Sequence, residues 1–166
     1  MATTIRTPTA KSGFVSRRHN HARCVETAVR SAERICADRN LRLTAIRRRV
    51  LELVWSSHTP VVAYELLERL KPERANAKPP TVYRALEFLL DVGLIHRIES
   101  RNAFIGCVDP ETDHHSQFLI CTECGDAAEL ASREIDALIT SRANEIGFSA
   151  EHKTIEITGR CAACRR

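Results

Sequence analysis

No stretch of this 166-residue chain approaches the roughly eighteen consecutive apolar residues that a membrane-spanning helix requires. The first twenty residues also lack the apolar core of a secretory signal, so a cytoplasmic protein is expected. Internal repeats and long low-complexity segments are missing, and with 43% hydrophobic residues nothing suggests a fibrous or wholly disordered chain. What remains is a globular protein able to bury one moderate core or two small ones.

Cysteine, by contrast, is plentiful. Four of the seven cysteines form two pairs, Cys121-Thr122-Glu123-Cys124 and Cys161-Ala162-Ala163-Cys164, separated by 36 residues. Two intervening residues let both sulfurs of a turn reach one ion, and zinc takes four thiolates tetrahedrally at about 2.3 Å. The alternatives are two disulfides or a redox dithiol. A reducing compartment disfavours the first, and the absence of a thioredoxin-like strand and helix pattern around either pair disfavours the second. A closed four-sulfur site has no open coordination position, so its metal should hold structure and perform no chemistry.

The net charge of +4 is unevenly spread. Residues 1–110 carry 19 Lys+Arg against 11 Asp+Glu, whereas residues 111–166 carry 6 against 10. The basic half suits a polyanion, nucleic acid foremost, because clustered cations release condensed counterions from phosphates; a solvated basic surface is the plain alternative.

Residues 1–25 show almost no apolar periodicity and are expected to form a basic, disordered arm. A helical pattern starts at Thr27, with Val29, Ala32, Ile35 and Cys36 on one stripe, and runs to about Arg39. Thr44 reads as the N-cap of a second helix that buries Ile46, Val50, Leu53 and Val54 and turns Arg47, Arg48 and Arg49 the other way. After Pro60, residues 63–70 form a third helix with Leu66, Leu67 and Leu70 inward. Pro79 and Pro80 set up a fourth, residues 81–92, which buries Val82, Leu86 and Leu89 and stops at Gly93. Lys78, Thr81, Tyr83 and Arg84 are left exposed at its start. Residues 95–99 and 103–107 alternate as strands around a Ser100-Arg101-Asn102 turn.

That order of elements is the order of a winged helix-turn-helix, whose recognition helix enters the major groove. Composition changes after Asp109-Pro110, giving a winged-helix DNA-binding domain at 26–108 and a C-terminal domain at 109–166. In the latter, residues 117–120, 127–130 and 154–158 read as strands and 133–146 as a helix with Ile135, Leu138, Ile139 and Ile146 on its apolar side. The class is therefore α+β. A unit of about fifty residues commonly needs a metal or a partner subunit to be stable.

A second set of candidate ligands straddles the boundary: His96, Cys107, His114 and Glu129. Each alone is more often a core or surface residue. Together they offer two imidazoles, a thiolate and a carboxylate, which suits tetrahedral zinc better than hard-oxygen metals. A metal held there would fix the orientation of the two halves.

The run Lys78-Pro79-Pro80-Thr81-Val82-Tyr83-Arg84-Ala85-Leu86-Glu87-Phe88-Leu89, then Gly93-Leu94-Ile95-His96, Cys107, Cys121-x-x-Cys124-Gly125 and the terminal Cys161 and Cys164, resembles the ferric uptake regulator superfamily. More narrowly it resembles the zinc uptake regulator branch, over about residues 27–164. The resemblance implies a zinc-responsive transcriptional repressor that binds palindromic double-stranded DNA operators as a zinc-loaded homodimer, controlling zinc uptake genes. It implies two zinc ions per subunit, a structural one at Cys121, Cys124, Cys161 and Cys164 and a regulatory one at His96, Cys107, His114 and Glu129. It also implies operator contacts from Tyr64 and Arg84, the latter suited to guanine O6 and N7, with Lys78, Thr81 and Tyr83 beside them.

By the same resemblance Glu68 and Lys71 lie where such regulators bridge adjacent dimers, although an exposed helical face is the simpler reading. Iron and peroxide sensors carry a His-Asp-His run where this chain has Ser116-Gln117-Phe118, so those ligands are absent; a third metal site through His115 or His152 stays open. A sensor of iron, manganese or nickel on the same scaffold, and a thiol-based redox sensor, are the alternative functions. An open-site zinc enzyme is disfavoured, because four protein ligands leave no place for an activated water.

Overall fold

The computed structural model describes residue 14 and residues 21–112, 116–130 and 132–165. Expectations for the rest of the basic arm, and for His114 and His115, lie outside the described residues. The N-terminal half runs α1 (His21–Asp38), α2 (Ala45–Val54), β1 (Val61–Val62), α3 (Ala63–Leu70), α4 (Pro79–Asp91), β2 (Ile95–Ile98) and β3 (Ala103–Gly106).

Helix α1 begins six residues before the expected Thr27, so residues 21–25 belong to its first turns and not to a disordered arm. Val25 continues the stripe of Val29, Ala32 and Cys36 at four- and three-residue steps, and Glu26 pairs with Arg30 one turn on at 2.5 Å. Helix α4 likewise takes Pro79 and Pro80 inside its first turn, where a missing N–H costs nothing. Its stripe of Val82, Leu86 and Leu89 packs with Val50, Leu51, Leu66 and Leu70 into one core. Each such leucine contributes about 1.5–3 kcal/mol through burial.

Three antiparallel strands in the order β1-β3-β2 form the wing. With only two residues, β1 is too short for alternation to reveal it in the sequence. The expected turn at Ser100 is a single 3-10 turn, Glu99–Arg101, closed by Asn102 in the left-handed region at φ 46°. At the wing's base Gly106 admits the Trp55 indole, since a Cβ there would lie 2.1 Å from Trp55 Cε2.

The C-terminal half contains β4 (Ser116–Cys121), β5 (Ala127–Glu129), α5 (Arg133–Glu145) and β6 (Thr154–Gly159). The sheet order is β5-β4-β6, with β5 antiparallel and β6 parallel to β4. Ser132 caps α5 by accepting from the Ile135 N–H at 3.3 Å. Buried residues are absent from α5 itself: Leu138 is 58% exposed, and just beyond the helix Ile146 and Phe148 are 83% and 62% exposed. The two halves share a small apolar cluster in which Ile98 and Ile105 of the wing meet Phe118, Ile120 and Ala127 of the C-terminal sheet.

Candidate metal centres and nucleic-acid face

The parallel pairing of β4 with β6, in a register that sets Cys121 opposite Gly159, brings the two cysteine turns side by side. The Thr122 N–H donates to the Gly159 carbonyl at 2.8 Å, and the Cys161 N–H points at Cys121 Sγ at 3.4 Å. All four sulfurs lie within 4.8 Å of one another, Cys121 and Cys161 buried and the other two half-buried. None of the four is in a disulfide, and Cys124 and Cys161 sulfurs stand 3.9 Å apart. That matches the edge of a zinc tetrahedron with bonds of about 2.3 Å, which is about 3.8 Å. The group therefore fits. Backbone N–H groups of Cys124 and Cys161 lower the Cys121 thiol to about 6. Its hydrogen bond with Cys161, and then burial, push Cys164 up to about 12.

His96 on β2, Cys107 just beyond β3 and Glu129 at the end of β5 also bring one ligand atom each within a mutual 4.8 Å. His96 Nε2 lies 3.0 Å from Glu129 Oε1, and Glu129 Oε2 accepts from the Val108 N–H at 3.1 Å. The His96 ring meets Phe118 edge-on at 5.5 Å. Cys107 and Glu129 are buried, and the Cys107 N–H is anchored on the Leu94 carbonyl at 3.1 Å. Burial first, and then the Glu129 carboxylate, push the Cys107 thiol well above the ordinary cysteine range. A buried carboxylate and a buried thiol facing one imidazole form a donor set that a divalent zinc ion would compensate. The sequence-predicted fourth member, His114, is outside the described residues. His152 is not in this cluster; its Nε2 lies 3.1 Å from Thr154 Oγ1.

In the N-terminal half, Lys78, Tyr83 and Arg84 are exposed at the start of α4, Thr81 is half-buried, and Tyr64 is 69% exposed at the start of α3. Arg47, Arg48 and Arg49 are spent elsewhere. Arg47 stacks over the Phe88 ring at 3.5 Å, Arg48 pairs with Glu33, and Arg49 pairs with Glu52 and Glu73. Glu68 and Lys71 pair with each other at 2.6 Å. Sequence reasoning missed two residues, Arg101 and Glu156, that tie the wing turn to the C-terminal half. Their partners lie 24 and 57 positions away, and no local pattern marks them.

The family model described as the ferric uptake regulator family matches residues 38–158. The zinc uptake regulation protein of Escherichia coli (strain K12) is 42% identical over 134 residues, spanning 80% of this chain and 78% of that protein. A solved zinc uptake regulator complexed with zinc and DNA superimposes with a TM-score of 0.81 at 39% identity, covering 85% of this chain and 95% of that one. Holo XcZur gives a TM-score of 0.77 at 44% identity, covering 84% and 97%. Its apo form gives 0.50 at 41% identity, covering 86% and 98%. Coverage is nearly the same in the three comparisons while the score is lower for the apo form.

Proposed function

This chain belongs to the ferric uptake regulator family, and from that premise we propose that it is a zinc-responsive transcriptional repressor that binds palindromic double-stranded DNA as a zinc-loaded homodimer to control zinc uptake genes. The observation that carries the reading is the convergence of His96, Cys107 and Glu129 from the wing, the wing's end and the C-terminal sheet onto one point. When bound there, zinc supplies a divalent centre that makes one orientation of the two halves more favourable than the others. Cys107 as thiolate, the His96 imidazole and the buried Glu129 carboxylate would hold the ion, which would give that carboxylate a counter-charge. His114 is assigned as the fourth ligand, and Cys121, Cys124, Cys161 and Cys164 as the structural site, for two zinc ions per subunit. The buried thiolate favours zinc over iron or manganese.

The DNA-binding domain is proposed at 26–108, preceded by the first turns of α1 from His21, and the dimerisation domain at 109–166. Arg84 is assigned to base reading, with Tyr64, Lys78, Thr81 and Tyr83 contacting the duplex around it. The uncovered apolar side chains Leu138, Ile146, Phe148 and Ile157 support dimerisation through the C-terminal half. No described helix is long and apolar enough to cross a membrane, which accords with a proposed cytoplasmic site of action.

The test is a gel-shift titration of a zinc-importer promoter at buffered free zinc. Cys107→Ser should stay folded and lose zinc-dependent binding, whereas Cys121→Ser should lose the C-terminal fold. Equal DNA affinity of the intact chain with and without zinc would overturn the proposal.

A further inference from the structure

The turn at the tip of the wing is tied to the C-terminal half by two side chains of opposite charge, Glu156 reaching in from β6 and Arg101 reaching out from the turn. On β6 the Glu156 carboxylate accepts from the Glu99 N–H at 2.6 Å and from the Ser100 N–H at 3.3 and 3.4 Å. The Arg101 guanidinium donates to the Gly125 carbonyl at 3.0 Å and to the Cys121 carbonyl at 3.4 Å. Alongside, the Thr59 hydroxyl donates to the Asp126 carboxylate at 2.8 Å, and the Ala127 N–H donates to the His58 carbonyl at 3.1 Å. The loop of residues 121–127, which carries the first cysteine pair, is thus the seat on which the helical half rests.

The apolar cluster under the wing resists separation of the halves but is non-directional and tolerates sliding. Charge-assisted hydrogen bonds lose their strength with small changes of angle and distance, so they select one orientation. Building on the zinc-sensor reading, we infer that Arg101 and Glu156 are positioning residues that latch the helical half onto the 121–127 loop and β6, and thereby set the zinc concentration at which the regulatory site fills. Neither belongs to the ligand set or to the DNA face. His96 comes from one half and Glu129 from the other, so the site is complete only in the latched arrangement. A site whose competent arrangement is fractionally populated has its apparent affinity reduced by that fraction.

The experiment uses the full-length protein with Arg101→Gln and Glu156→Gln made separately. Regulatory zinc affinity is read by chelator competition, and DNA binding by gel shift on a zinc-importer promoter at buffered zinc. Loss of one charge-assisted hydrogen bond should move both zinc midpoints about tenfold higher in either variant. DNA affinity at saturating zinc should stay within about twofold, and zinc at the four cysteines should be retained, because the latched state remains reachable. Arg101→Lys, which keeps the charge but reaches fewer carbonyls, should recover part of the shift. Unmoved midpoints in both variants would overturn the inference. So would a lower DNA affinity at saturating zinc with an unmoved midpoint, since that would put these side chains on DNA. If Arg101→Gln loses its structural zinc, the Glu156→Gln midpoint decides the matter alone. An unsubstituted protein blind to zinc would instead remove the repressor reading itself.

Discussion

Glu129 is a carboxylate with 5% of its surface exposed, held between the Val108 N–H and His96. An ionised carboxylate so far from water is costly unless a cation compensates it, and the imidazole opposite does so only when protonated. Zinc at the proposed site would do so in every state. Glu129→Gln keeps the volume and removes the charge, so it should weaken regulatory zinc binding by more than the about 10–100-fold typical of an outer-shell partner. Chelator competition reads that loss, with zinc at the four cysteines unchanged. The neighbouring thiol sets the pH dependence. Burial and Glu129 raise the Cys107 pKa, so at neutral pH the metal-free site carries a thiol, and a zinc ion bound at the proposed site would expel its proton. Apparent affinity should therefore rise about tenfold per pH unit through this residue and fall as pH falls. The same competition at stepped pH checks the slope, and a flat profile would remove Cys107 from the ligand set.

Among elements, α2 and α4 show why a basic count alone misleads. The Arg47-Arg48-Arg49 run looks suited to phosphates, yet its charges are met by Glu33, Glu52 and Glu73 or lie over Phe88. Arg84 stands exposed on the helix whose proline-started first turns face outward. Arg84→Ala should cost about 1–3 kcal/mol of operator affinity and relax preference at one base pair, whereas Arg48→Gln should leave specificity unchanged. Binding titrations over single-base operator variants distinguish the two. The helices of this half were legible in the sequence because each stripe of Val, Leu and Ile repeats at helical spacing. The first turns of α1 were not, since before Val29 the only large aliphatic residue on the stripe is Val25, and β1 is too short to alternate.

For the whole molecule, the C-terminal half is incomplete in one chain. Leu138, Ile146, Phe148 and Ile157 leave an apolar surface that a second copy would cover. Ile146→Glu with Phe148→Glu should yield a folded monomer in sedimentation velocity, with operator affinity reduced to that of a single half-site. In the proposed mechanism the metal and DNA effects are also reciprocal: whatever factor zinc adds to DNA affinity, the operator must add to zinc affinity at the proposed His96, Cys107 and Glu129 site. Titrating zinc with and without operator measures that factor directly.

Residue spacing fixed the ligand chemistry of the cysteine pairs, because two sulfurs separated by two residues meet within one turn of chain. Periodicity likewise determined which face of each helix is buried, since 3.6 residues per turn makes that face a property of nearby residues. Only the tertiary structure decided that β6 lies parallel to β4 and that the wing's tip is seated on the first cysteine loop. Those outcomes depend on partners 24 to 57 positions away, brought together by register and packing that no short window of sequence encodes.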